Sequence, residues 1–259
     1  MTAAEQWRAD LATWAIPPEI LDAAPEDPWI HPVEMFTVSG EVPDSPSHAR
    51  AREALPEGGS VLDVGCGGGR ASLALLPRAG VVTGVDSSAR MLAQYAAAAD
   101  ERGVAHAEML GTWPESVDGV PAADVVVCHH VVYNVPDLPP FLLALADRAV
   151  RRVVLELPVT HPLTHMSPLW RQFWGLERPT RPTAEDCLAV AREAGIDATL
   201  DVWDDEPFEQ RTTLTPAQRA HYLRVRLCLP ADREPEVVAA LQAAGPPAPR
   251  RTATLWWDV

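Results

Sequence analysis

Apolar positions along this chain fall into short unbroken runs separated by amphipathic stretches, and the alternation is regular from residue 60 to residue 157. The pattern predicts strands over 60–65, 80–86, 104–109, 122–128 and 151–157, with helices over 69–76, 88–101 and 138–149. Val125-Val126-Val127 and Val153-Val154-Leu155 are continuous apolar triplets, as strands buried on both faces require. Strands alternating with helices of this length force right-handed crossovers and a parallel sheet covered on both sides. Further on, the pattern predicts a helix over 183–194, opened by Thr183 with Glu185 and Asp186 in its first turn and closed by Gly195. A strand over 198–203, helices over 215–227 and 232–244, and a last strand over 252–257 complete the chain.

Three segments break the rhythm. Residues 3–14 form a short amphipathic helix carrying Trp7, Leu11 and Trp14, and the proline-rich, acidic stretch 17–46 is too apolar for a disordered tail. Residues 158–182 leave from the C-terminal end of a strand, where open α/β sheets bind their ligands, and carry His161, His165, Trp170, Phe173 and Trp174. The expected organisation is an N-terminal helical cap segment at 1–47 and one domain at 48–259 with helical lid insertions at 158–182 and 215–244.

Composition narrows the partners. The 259 residues carry 36 Asp and Glu against 21 Arg and no Lys, a formal net charge of -15 with a pI near 4.9. Phosphate backbones are bound through Lys and Arg, so nucleic acid is not an expected partner. Cys66, Cys128, Cys187 and Cys228 are scattered without a C-x-x-C pair, which speaks against zinc and fits a reducing cytoplasm. No apolar run is long enough to span a bilayer, and Glu5, Arg8 and Asp10 interrupt the N-terminus where a signal peptide would be apolar. His161 and His165 have the H-x-x-x-H spacing, but Pro162 lies between them, so no metal is expected.

The most telling stretch is Val61-Leu62-Asp63-Val64-Gly65-Cys66-Gly67-Gly68-Gly69, followed by Val82-Thr83-Gly84-Val85-Asp86. A strand that breaks into a glycine turn and helix, with a second strand ending in a carboxylate, is how a Rossmann-like sheet builds a nucleoside site. With no lysine, a P-loop is excluded. A dinucleotide fingerprint wants glycine or alanine where this chain has Arg70. Asp63, two residues before the first glycine, repels a pyrophosphate and attracts the cationic amino-acid portion of S-adenosylmethionine. Asp86 offers two acceptor oxygens to ribose hydroxyls.

At these residues the chain resembles the small-molecule class I S-adenosylmethionine-dependent methyltransferases. Val61–Gly69 is similar to their first motif, Val85–Leu92 to their second, and Asp124-Val125-Val126-Val127-Cys128-His129-His130-Val131-Val132-Tyr133-Asn134-Val135 to their fourth-strand motif. The resemblance covers residues 48–157 closely. It implies a doubly wound, Rossmann-like α/β fold with a seven-stranded, mostly parallel sheet whose last strand is antiparallel. It implies S-adenosylmethionine as cofactor, held by Asp63, Gly65, Cys66, Gly67, Asp86, Ser87, Met91, Gly111, Thr112, Trp113 and His129. Where family members often carry Gly-Asp after the third strand, this chain has Gly111-Thr112-Trp113, so Thr112 or Trp113 must take over at the adenine.

The expected activity is methyl transfer to a small-molecule acceptor by a monomer or homodimer. A non-catalytic S-adenosylmethionine or S-adenosylhomocysteine sensor and an NAD-dependent oxidoreductase stay open as alternatives. If the acceptor must lose a proton, His129, His161 and Glu156 are the candidate bases. Adjacent strand residues point to opposite sides, so only one of His129 and His130 is expected to face the cofactor. Trp29, His31, Tyr133, Asn134, His165, Trp170 and Trp174 are the candidates for binding the acceptor.

Overall fold

The structure, a computed structural model, describes residues 1–29, 42, 44–205, 214–245 and 250–259. Seven strands, β1 (Gly59–Val64), β2 (Ala79–Asp86), β3 (Ala105–Leu110), β4 (Ala123–His129), β5 (Ala149–Pro158), β6 (Thr199–Asp205) and β7 (Arg250–Asp258), form one sheet in the order β3-β2-β1-β4-β5-β7-β6. β7 runs antiparallel to both its neighbours, and the remaining pairings are parallel. The doubly wound, mostly parallel sheet expected from the alternation is therefore present, with its reversed strand.

Side-chain alternation divides the core in two. One face of the sheet buries Leu62, Val64, Val126 and Leu155 beneath α1 (Ala3–Ala12), α6 (Leu138–Arg148) and α8 (Ala184–Glu193). The other buries Val61, Val125, Val127 and Val154 beneath α3 (Pro46–Ala54), α4 (Arg70–Leu73) and α5 (Ala89–Glu101). Each fully buried Val or Leu contributes about 1.5–3 kcal/mol. Trp7 of α1 is wholly buried, and its indole N–H donates to Val135 O at 2.8 Å, tying the N-terminal helix to the segment after β4.

Local signals set the helix boundaries. Thr183 and Asp186 cap α8 reciprocally, and Gly195 follows it with φ 84°. The helix expected over 69–76 is shorter: regular α-helix spans only Arg70–Leu73, and the chain then turns toward Pro77, which cannot donate to a continuing helix.

A third apolar cluster lies apart from the sheet. α2 (Pro18–Leu21), α7 (Ser167–Trp174), α9 (Pro216–Arg226) and α10 (Glu234–Ala244) pack Ile16, Ile20, Met166, Trp170, Leu223 and Val237 together. Parts of the N-terminal segment and of both insertions thus share one core. Buried Arg224 joins them: it donates to Glu26 Oε1 at 2.5 Å, Glu234 Oε2 at 3.1 Å and Leu229 O at 2.7 Å. Arg226, also buried, donates to Pro28 O at 2.8 Å.

Candidate active site

The C-terminal ends of β1, β2, β3, β4 and β5 bring the predicted cofactor-binding residues to one edge of the sheet, the edge where open α/β sheets bind ligands. At the end of β1, Gly65, Gly67 and Gly69 all adopt positive φ. At Gly65 (φ 72°) a Cβ would stand 2.4 Å from Val131 Cγ2, so glycine is required for conformation and for space. The same contact places the chain after β4 directly against the glycine turn.

Asp63 is buried. Its Oδ2 accepts from Ser72 Oγ at 2.7 Å and Ser72 N at 3.2 Å, while Oδ1 has no hydrogen-bond partner among the described residues. Burial raises this carboxyl to about 7 against the easing effect of the two Ser72 bonds, and the Asp86 charge adds to the rise. A buried carboxylate with one idle oxygen fits a cation brought by a ligand. Ser72 escaped the sequence reading because only the turn of α4 back onto β1 brings it to Asp63.

Asp86, at the end of β2, accepts from Gly67 N at 3.0 Å and Ser88 N at 2.9 Å. It is not the cap of α5; Ser88 performs that role by accepting from Met91 N. Gly65 N–H and Cys66 N–H both donate to Val85 O, so these amides hold the turn on β2 rather than face outward. Burial pushes the Cys66 thiol up, which removes it as a nucleophile. Ser87 is exposed and Met91 half-buried at the start of α5. After β3, Gly111 N–H donates to Asp86 O, Thr112 is exposed, and half-buried Trp113 packs on the core with its indole N–H toward Phe141 O at 3.4 Å.

The acid–base candidates rearrange. Glu156 is 2 % exposed and accepts from Ser45 Oγ at 2.8 Å, with His130 Nε2 3.1 Å from its Oε1. Burial alone would raise its pKa, but His129, His130 and Ser45 outweigh that and hold the carboxyl well below the usual carboxylate range. So strongly held an anion is a poor base, which corrects the sequence expectation for Glu156. His130 has φ 62°, outside the strand conformation, so the alternation argument fails there and both histidines bear on Glu156. His129 stacks on buried His48 of α3 at 5.4 Å. Ser45 and His48 were not legible as site residues.

His161 is also corrected. Its Nδ1 accepts from Leu163 N, its ring stacks on Trp14 at 3.9 Å, and burial with the Arg178 and Arg226 charges lowers it to about 3. It is a neutral cap of a 3₁₀ turn over Pro162–Met166, not a base. Tyr133 is core: its hydroxyl donates to Pro158 O at 2.8 Å and its ring stacks on Trp7. Trp170 is buried in the third cluster. Trp29, 47 % exposed, lies beneath Arg226, and Trp174, 37 % exposed, donates to Leu227 O, so both meet the end of α9. Asn134 and His165 are exposed, and the predicted His31 lies outside the described residues. Among the described residues no group of three His, Cys, Asp or Glu side chains could hold a metal ion.

Comparison with known proteins agrees with this geometry. Residues 61–152 match the methyltransferase domain family. Over 86 residues the chain is 40% identical to a ubiquinone biosynthesis O-methyltransferase of Paramagnetospirillum magneticum, covering 33% of this chain and 34% of that one. A protein of the same name from Sodalis glossinidius is 39% identical over 95 residues, 36% of this chain and 38% of the other. The chain thus spans little more than a third of the length of the curated relatives it matches. Among solved structures, the YcgJ protein of Bacillus subtilis aligns with TM-score 0.55 at 18% identity, over 82% of this chain and 97% of that one. A methyltransferase from Geobacter sulfurreducens, solved with S-adenosyl-L-homocysteine, aligns with TM-score 0.55 at 18% identity, over 94% and 98%. Residues 61–152 thus match a methyltransferase domain, and the sheet has the Rossmann-like fold of the solved methyltransferase it aligns with.

Proposed function

We propose that the protein transfers a methyl group from S-adenosylmethionine to a small-molecule acceptor. The observation that carries this reading is the buried Asp63 carboxylate, with one oxygen unpartnered beside the glycine turn. A pyrophosphate is repelled there, whereas an ammonium gains a charge-assisted hydrogen bond. Asp86, already fixed by two backbone amides, holds the ribose hydroxyls. Gly111, Thr112, Trp113 and Met91 border the adenine, and His129 borders the methionine portion. The cofactor supplies an electrophilic methyl group on a positively charged sulfur. The protein's part is orientation and exclusion of water, which accounts for much of the rate in such transfers.

The helical cluster built from 14–29, 158–182 and 215–244 serves as the cap over the acceptor, with Trp29 and Trp174 as its exposed aromatics. The names of the curated relatives favour an oxygen acceptor. The charge of -15 disfavours nucleic acid. Among the described residues no helix is long and apolar enough to cross a membrane. Four free, buried cysteines favour a reducing cytoplasm as the place of work, with the chain acting as a monomer or homodimer. A crystal structure with S-adenosylhomocysteine tests the reading. Its amino group is expected at Asp63 and its ribose at Asp86; a ligand seated away from both carboxylates would sink it.

A further inference from the structure

The Asp63 carboxylate is held through one oxygen only. Oδ2 takes the Ser72 hydroxyl at 2.7 Å and the Ser72 amide at 3.2 Å, whereas Oδ1 takes nothing among the described residues. Ser72 is wholly buried, and its Oγ lies 3.4 Å from the hydroxyl of Tyr95 on α5, a second side chain with no exposure. Tyr95, Ser72 and Asp63 thus form a polar chain through a layer otherwise made of Val61, Leu73, Val82, Leu92 and Val125. Two glycines leave room for the tyrosine ring: a Cβ at Gly84 of β2 would stand 2.9 Å from Tyr95 Cζ, and one at Gly69 of the turn 3.1 Å from Tyr95 Cδ2. Hydroxyls are costly in an apolar layer unless they are hydrogen-bonded, and here the bonds converge on the carboxylate beside the cofactor turn.

We propose that Ser72 and Tyr95 are positioning residues for the cofactor: they fix Oδ2 of Asp63, leave Oδ1 as the oxygen offered to the ligand's ammonium, and supply the hydrogen bonds that hold the carboxyl as an anion. This rests on the cofactor reading above. A serine has one hydroxyl proton, and at 2.7 Å it goes to the carboxylate, a charge-assisted bond. The tyrosine hydroxyl then meets the lone pairs of Ser72 Oγ and strengthens the serine as a donor, since hydrogen bonds in a chain polarise one another. Burial is the larger influence and still lifts Asp63 to about 7, with the Asp86 charge adding to the rise. The Ser72 bonds oppose it, and without them the carboxyl would keep its proton to higher pH. The other titratable or charged groups around the chain are Cys66 in the turn, Arg70 at the head of α4, Asp86 on β2, Glu108 on β3 and Cys128 on β4.

The test is calorimetry of the full chain with S-adenosylhomocysteine between pH 5.5 and 8.5, in two buffers of different ionisation enthalpy, which gives both affinity and the protons released on binding. Wild type, about half protonated at Asp63 at pH 7, is expected to release about half a proton there. Ser72→Ala removes the hydroxyl donor and keeps the amide. It is expected to release close to one proton at pH 7, with the acid limb of affinity moved up by about one pH unit and affinity at pH 7 reduced about fivefold. Tyr95→Phe keeps the ring and is expected to move the limb the same way by less. On an Asp63→Asn background neither substitution should change affinity by more than about threefold, because the carboxylate they act through is gone. A purely structural role for Ser72 lowers Tm and weakens binding equally at every pH. A folded Ser72→Ala protein with the wild-type limb and proton count therefore overturns the assignment, and an unmoved limb in Tyr95→Phe removes the tyrosine from it. Wild-type protein that does not bind S-adenosylhomocysteine at all overturns instead the cofactor reading beneath it.

Discussion

Replacing Asp63 with asparagine is expected to stabilise the free protein at neutral pH while weakening its hold on the cofactor. The carboxyl is lifted from 3.8 to about 7, chiefly by burial. For an acid whose folded pKa is raised, the favourable contribution is complete below the unfolded value and is lost as pH rises through the folded one. Here the loss runs from pH 3.8 to about 7 and amounts to about 4 kcal/mol at neutral pH. Asparagine avoids this cost and can still accept from Ser72. Its amide N–H2, however, occupies the place of the unpartnered Oδ1, and an unsatisfied buried donor costs about 1–3 kcal/mol. The expected net gain is about 1–3 kcal/mol at pH 8, a rise in Tm of roughly 2–12 °C, shrinking to nothing or reversing at pH 4.

Binding should move the other way. Loss of a charge-assisted bond to the ligand's ammonium weakens S-adenosylhomocysteine by about 1.5–3 kcal/mol, roughly tenfold to a hundredfold. In the wild type, affinity should fall by up to about tenfold per pH unit below 7, because the carboxyl must first lose its proton. In Asp63→Asn that slope disappears. Thermal melts at pH 4 and 8, with calorimetry at pH 5.5 and 7.5 in two buffers of different ionisation enthalpy, measure all of this. A folded variant no more stable than wild type at pH 8, with the same affinity and the same pH slope, would show that Asp63 is neither strained by burial nor in contact with the ligand.

Other expectations follow from single contacts. Asp86→Ala should weaken S-adenosylhomocysteine by about 1–3 kcal/mol in a folded protein, read by calorimetry; unchanged affinity removes Asp86 from the site. Gly65→Ala must force both a left-handed alanine and a 2.4 Å approach to Val131, so a melt should show a lower Tm and calorimetry a loss of cofactor binding. Tyr133→Phe leaves Pro158 O without its donor and should cost about 1–3 kcal/mol by denaturant titration without altering cofactor affinity. Arg224→Ala strips Glu26, Glu234 and Leu229 O of one shared donor, and should destabilise the helical cluster by about 3–5 kcal/mol, detected as early proteolysis within 214–245.

The sheet was legible because its signals are local: apolar triplets, Thr183 ahead of α8, and glycines between β1 and α4 each act within a few residues. The positions of Asp63 and Asp86 were legible for the same reason, since strand ends fix where their carboxylates emerge. Contacts that depend on docking were not. Ser45 reaches Glu156 across 111 residues, and Arg226 reaches Pro28 across 198, with no periodic trace of either. His130 misled because two-residue alternation holds only while the backbone stays extended, and at φ 62° it does not. His161 and Tyr133 misled differently: polar aromatics near a strand end look like pocket residues until their hydrogen bonds are found to end inside the core.

The proposed reaction depends on one assignment, that the turn at Gly65–Gly69, flanked by Asp63 and Asp86, holds S-adenosylmethionine. Calorimetric titration of the full chain with S-adenosylhomocysteine and, separately, with NADH puts that assignment at risk in a single experiment. Saturable binding of S-adenosylhomocysteine, lost in Asp86→Ala, with no heat from NADH, is the expected outcome. Tight NADH binding with no response to S-adenosylhomocysteine would show that the turn serves a dinucleotide instead.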